Sequence, residues 1–259
     1  MLNSLAFIGG RSAIFGASGG GGGGWTPNTL TSTIGWWDAS QETGTGNITT
    51  IHDWQTNATA RNITQGAGSS TSPQTGATTI NGNNVITTLA TDSTYYGTAA
   101  TLPALSALSL YCVCSLGTPS GSAVATMFGI GAGANTLYYA ALANPNWDEI
   151  LQVSGCGVTG GPYFGSASSS GNGLMVIKLD ATTADGSVHI SINGSAPIGT
   201  AGTGFTGMPA STAVGLWNNF SAIQNAPTSF CEMVLCNEIL SSPHETSLYS
   251  YFTTKWGKP

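Results

Sequence analysis

Charge is what this chain has least of. Only 6% of its 259 residues are Asp, Glu, Lys or Arg, against about 25% in an average globular protein. Five Lys and Arg stand against eleven acids, for a net charge of -6. A basic groove that neutralises phosphates is therefore excluded, and with it the usual nucleic-acid surface. An anionic membrane surface is a poor partner for the same reason. No apolar run approaches the ~20 residues that span a bilayer. Residues 1–10 have no basic n-region, and Leu5-Ala6-Phe7-Ile8 is too short for the apolar stretch of a signal peptide.

Metal-type cysteine spacing is also missing. The five cysteines are Cys112, Cys114, Cys156, Cys231 and Cys236, and none forms a CxxC pair. Cys112 and Cys114 lie two apart in an apolar strand-like run, so they share a face. Two readings follow: small packing residues, or a bridge from Cys112 or Cys114 to the 231–236 segment.

What is present is enough to build a core. The hydrophobic share is 41%, with seven Trp, eight Tyr and eight Phe. The 37 Gly and 11 Pro stay below the about 25–30% that marks a low-complexity disordered chain. A surface of Gly, Ser, Thr and Asn in place of charges suits a protein that works outside a cell or inside a larger assembly.

The chain divides after residue 24. Residues 1–24 space Leu2, Leu5, Phe7, Ile8, Ile14 and Phe15 with Gly and Ser, and end in six consecutive glycines. Such a run loses too much backbone entropy to form a regular element alone. Apolar side chains have little use in a solvated tail, so an extended arm that docks on a partner is expected here. Residues 25–259 read as an all-β domain, with expected strands at 35–38, 48–54, 84–88, 108–115, 125–129, 137–142, 150–153, 174–180, 187–192, 213–217 and 230–236. Asn81-Gly82, Asp185-Gly186 and Asn193-Gly194 supply the positive φ of tight turns. With no helical pattern between strands, an antiparallel sandwich or jelly roll is expected. One helix follows at the C-terminus. Ser242, Pro243 and Glu245 read as N-cap, first helical residue and the third position of a capping box. Leu248, Phe252 and Trp256 then form one apolar stripe, ended by Gly257.

Three stretches resemble the concanavalin A-like, laminin-G-like jelly rolls. Trp36-Trp37-Asp38-Ala39-Ser40 with Asp53-Trp54 is similar to the opening W-x-D-A-S … W-x-D region, the second motif here reading Asp-Trp. Residues 175–180 and 187–194 resemble paired strands that end in an Asn-Gly turn. Residues 230–245, followed by Tyr249, Tyr251, Lys255, Trp256 and Gly257, are similar to the family's closing strand and helix. The likeness covers about residues 25–258 and implies a fold that often binds sugars. A domain of this kind behind a Gly-rich lead-in resembles virion proteins of tailed bacteriophages. The resemblance therefore implies a virion protein on the particle exterior, attached to capsid or tail proteins through residues 1–24, in a homo-oligomer or a lattice.

No enzyme site is legible. Glu232 and Glu238 are six residues apart, about 20 Å along a strand, which is too far for either glycosidase geometry. Asp148 and Glu149 are adjacent and face opposite ways on a strand. His52, His189 and His244 have no metal-ligand spacing. No cofactor is expected; Ca²⁺ is the one ion to consider, and Asp38, Asp53, Asp92, Asp148 and Asp180 are isolated in sequence. For a glycan, Trp147 with Asp148 and Trp217 with Asn218 and Asn219 combine an aromatic face with polar neighbours. The competing reading of both Trp is core or loop packing.

Overall fold

A computed structural model of the chain describes residues 24–66, 73–88, 96–98, 101–116, 124–132, 135–142, 148–154, 163–165, 173–197, 203–210, 212–217 and 228–257. Within them the chain forms β1 (Thr33–Asp38), β2 (Gly46–Asn47), β3 (Thr50–Ile51), β4 (Ile63–Gln65), β5 (Gln74–Ile80), β6 (Asn83–Thr88), β7 (Tyr96–Thr98), β8 (Ala107–Leu116), β9 (Val124–Ala132), β10 (Asn135–Leu142), β11 (Asp148–Ser154), β12 (Tyr163–Gly165), β13 (Leu174–Thr182), β14 (Val188–Ile192), β15 (Ala213–Leu216), β16 (Thr228–Cys236) and α1 (Ser242–Trp256). All pairings between these strands are antiparallel. One sheet runs β14-β13-β8-β16-β6-β5-β2, with β1 also on β16; the other runs β12-β11-β10-β9-β15-β7-β4-β3. This is an antiparallel β-sandwich of the jelly-roll kind with one C-terminal helix, as the sequence pattern predicts.

Strand alternation builds the first sheet with two apolar faces. On β8, Leu108, Leu110, Cys112 and Cys114 point to the inter-sheet core, while Tyr111 and Val113 belong to the layer beneath α1. On β13, Met175, Ile177, Leu179 and Ala181 point inward and Val176 outward. The second sheet answers with Ile51, Ile63, Phe128, Ile130, Leu137, Val214 and Leu216. The helix stripe lands where its period requires, with Leu248, Phe252 and Trp256 all buried. The four cysteines among the described residues are free. Cys112 and Cys114 lie on the inner face, Cys231 and Cys236 on the helix face, so the sheet itself separates the two pairs and they serve as packing residues. Cys156 lies outside the described residues.

Strand β16 organises the helix-covered sheet. Along one side it pairs β8; on the other it pairs β6 through Thr228, Ser229 and Phe230, then β1 from Glu232 to Cys236. Its register shifts between Phe230 and Glu232. This bulge inserts Cys231, so Cys231 and Glu232 both face α1 before the alternation resumes at Met233.

Three local expectations need correction. The 48–54 stretch is not one strand: it holds only the two-residue β3 and a single bridge between Asp53 and Trp37. The sequence pattern gives no signal for strands β2, β4, β5, β7 and β12, because they are short or polar. Strand β5 reads Gln-Thr-Gly-Ala-Thr-Thr-Ile and is mostly exposed; the Asn81-Gly82 turn, with φ of 49° and 77°, pairs it with β6. The capping box does not form. Ser241 is the N-cap with no side-chain bond to the helix, and Ser242 is the first helical residue. The Glu245 carboxylate instead meets Lys178 of β13 at 2.7 Å, a charge-assisted partner stronger than a backbone N–H. The helix end is as expected: Gly257 takes φ 78° and its N–H bonds the Thr253 carbonyl at 2.9 Å.

Candidate functional site

The motif residues from the two ends of the chain converge under α1. Asp38 of β1 and Glu232 of β16 are directly opposed cross-strand neighbours, 1% and 0% exposed. Like charges in that position repel. Lys255 of α1 answers them, reaching Glu232 Oε2 at 3.0 Å and also pairing with Asp38 Oδ2. Two indoles complete the site: Trp36 Nε1 donates to Glu232 Oε1 at 2.5 Å and Trp256 Nε1 to Oε2 at 2.7 Å. The Tyr251 hydroxyl donates to Glu232 Oε1 at 2.9 Å and accepts from Lys255 at 3.0 Å. Asp38 Oδ1 accepts from the N–H and hydroxyl of Ser40, and Oδ2 from Gln41 at 2.8 Å. The Lys255 ammonium also lies 5.3 Å from the Tyr251 ring centre and 5.0 Å from that of Trp256. Burial and the Asp38 charge push the Glu232 carboxyl up to about 7, against the opposing pull of Lys255 and the indole donors.

This arrangement locks the helix to the sheet. Both carboxylates are occupied by hydrogen bonds and closed to solvent, so they offer no open acid–base pair to a substrate. Glu238, the other carboxylate of the pair considered from sequence, is exposed beyond the end of β16.

Other acids of the described chain are organisers too. Asp53 accepts the backbone N–H groups of Trp36, Gln55 and Arg61 at 2.8, 3.2 and 2.7 Å; burial raises its pKa while those bonds lower it. Arg61 in turn donates to the Ile34 carbonyl, and its own carbonyl accepts from Trp37 Nε1 at 2.7 Å. Asp180 pairs with Lys178 at 2.8 Å and accepts from Ser109. Among the described residues, no three of His, Cys, Asp and Glu gather to hold a metal ion. Asp38, Asp53 and Asp180 thus belong to three separate networks, and Asp92 lies outside the described residues. His52 faces Glu42 at 2.9 Å, His189 is half-buried on β14, and His244 is exposed in the first turn of α1.

The glycan candidates divide. Trp217 is a core residue and not an exposed sugar platform. It is 2% exposed, its Nε1 donates to Thr228 Oγ1 at 2.6 Å, and its ring meets Phe230 edge-on at 6.3 Å. Its positive φ of 55° turns the side chain inward at the end of β15. Trp147, Asn218 and Asn219 lie outside the described residues, as do Leu2, Leu5, Phe7, Ile8, Ile14 and Phe15. Asp148 opens β11. The convergence of Asp38, Glu232 and Lys255 was not anticipated from the sequence. All three stand in the quoted motifs, but some 200 residues of intervening chain hide their contact.

No family model matches the chain, and no curated protein matches it. Solved structures do. The receptor-binding domain of botulinum neurotoxin D is similar at 13% identity over 90% of this chain and 57% of that one, with a TM-score of 0.58. The botulinum neurotoxin serotype D ligand-binding domain, in complex with N-acetylneuraminic acid, is 12% identical over 88% of this chain and 54% of that one (TM-score 0.57). The binding domain of botulinum neurotoxin DC, in complex with rat synaptotagmin II, is 11% identical over 87% and 52% (TM-score 0.57). This chain thus spans a little over half the length of those domains. At such identities the likeness establishes the jelly-roll fold.

Proposed function

We propose that this chain is a non-enzymatic bacteriophage virion protein: a lectin-like jelly roll displayed on the particle exterior and held to capsid or tail proteins by residues 1–24. A capsid decoration or head fibre is the favoured place. The observation that carries the binding role is the two-sheet sandwich of a chain that aligns over 88% of its length with a domain solved in complex with N-acetylneuraminic acid. The non-enzymatic role is supported by the full occupation of Asp38 and Glu232 in the helix lock. The virion role is supported by the apolar, Gly-hinged arm and the charge-poor composition.

Cosedimentation with particles lacking this protein tests the attachment. Full-length protein pellets with the particles and protein without residues 1–24 stays in solution; equal pelleting of both forms overturns the anchoring role. A glycan array tests the display role, with Trp147→Ala as the binding variant and Trp217→Ala as the buried control. Loss of binding in the first and retention in the folded fraction of the second is expected. Turnover of any polysaccharide overturns the non-enzymatic reading.

A second reading, a tail or baseplate adhesin for host-surface glycans, shares the same jelly roll. The solved complexes of similar domains with N-acetylneuraminic acid and with synaptotagmin II favour keeping it. Binding to the array without particle attachment decides for it.

A further inference from the structure

The cluster under α1 holds two buried carboxylates and the ammonium group of the partly exposed Lys255. Asp38 and Glu232 are 1% and 0% exposed, and Lys255 reaches both. With all three ionised, one negative charge is uncompensated. Opposed like charges repel, and burial disfavours the charged form of Glu232, so a proton retained on Glu232 relieves both costs.

The other groups that face the cluster stay neutral. From the turn after β1 come Ser40 and Gln41; from β1 and α1 come the Trp36 and Trp256 indoles. The Tyr251 phenol of α1 is held far above its ordinary range by burial and by the two carboxylates. The Cys231 thiol, beside Glu232 on β16, is pushed up by burial.

The root of the arm touches this cluster. Trp25 follows the glycine run directly, and its ring lies 5.8 Å from that of Tyr251. Tyr251 is bonded to both Glu232 and Lys255.

We propose that Asp38, Glu232 and Lys255 form a proton-linked latch. With its proton on Glu232, the cluster holds the C-terminal half of α1, and with it Trp25, on the sheet; when the proton leaves, both loosen. Glu232 sits at about 7 in the folded chain against an ordinary 4.5, so the folded state keeps a proton that the unfolded state has already released. The stabilisation is therefore fully present below about pH 4.5 and is lost as pH rises through about 7. The consequence for attachment rests on the reading that residues 1–24 anchor the protein. The test below uses the free protein, so the latch and the anchor fail separately.

Hydrogen–deuterium exchange on the full chain, corrected for intrinsic exchange rates, tests the latch between pH 5 and 8. Protection across residues 248–257 and 25–30 should fall about tenfold or more over that range, while protection of β8 and β13 changes less. Asp38→Asn removes the like charge and shifts the fall to lower pH. Lys255→Met removes the cation and shifts it to higher pH. Flat protection in the parent overturns the proposal, and so do shifts of the two variants in the same direction. The parent profile alone decides the matter if a variant does not fold.

Discussion

A Cβ at position 35 would sit 2.3 Å from Cη2 of Trp37. The indole folds back over its own strand and is fully buried, so the space beside Gly35 is already filled. Gly35→Ala should destabilise the domain by about 1–3 kcal/mol, the usual cost of overpacking, and a lowered midpoint in urea with an unchanged slope checks it. Trp217 tests the opposite error, a void. Its ring fills the core between Thr228 and Phe230, and Trp217→Ala should cost about 3–5 kcal/mol, read by the same denaturation. Sequence alone left Trp217 between core and sugar platform. The residue type and its Asn neighbours fit both, and only the positive φ at the strand end turns it inward.

At the scale of elements, α1 was the most legible part of the chain. Its 3.6-residue stripe fixes Leu248, Phe252 and Trp256 against the sheet, whatever the rest of the fold does. Phe252→Ala should therefore cost about 3–5 kcal/mol, measured by thermal or urea unfolding. Gly257 adopts φ 78°, and Gly257→Ala should cost about 1 kcal/mol because a Cβ is disfavoured there; loss of helical ellipticity near the transition checks it. What the sequence hid was the N-terminus of the same helix. Ser242-Pro243-His244-Glu245 carries a capping-box pattern, yet Lys178 of β13 draws the Glu245 carboxylate onto the sheet. Strand β5 was hidden for a different reason. With a mostly exposed Thr-rich surface it has no apolar alternation, and its pairing is imposed by the Asn81-Gly82 turn.

At the scale of the whole molecule, the reading of residues 1–24 as an arm requires that the domain stand without it. Trp25 already packs on the domain through Tyr251. A chain that begins at Trp25 should keep the melting temperature of the full protein to within about 2 °C, less than a 1 kcal/mol change would produce in a domain of this size. Differential scanning calorimetry of the two forms checks this. The charge-poor composition acts at this scale as well. Among the described residues, Asp38, Asp53, Asp180 and Glu232 are bonded within the fold, so few of the chain's charges are left to its surface.

By itself, the sequence determined what is local or periodic: the β class, the turn glycines, the apolar stripe of α1 and its Gly257 stop. These depend on φ preference and on side-chain period, which a short window of residues contains. Only the tertiary structure decided which faces met. It put Cys112 and Cys231 on opposite sides of one sheet, buried Trp217, and gathered Asp38, Glu232 and Lys255 into one cluster. Those outcomes depend on strand order, on the bulge at Cys231 and on the docking of a helix from the far end of the chain. Each joins residues that sequence separation keeps apart.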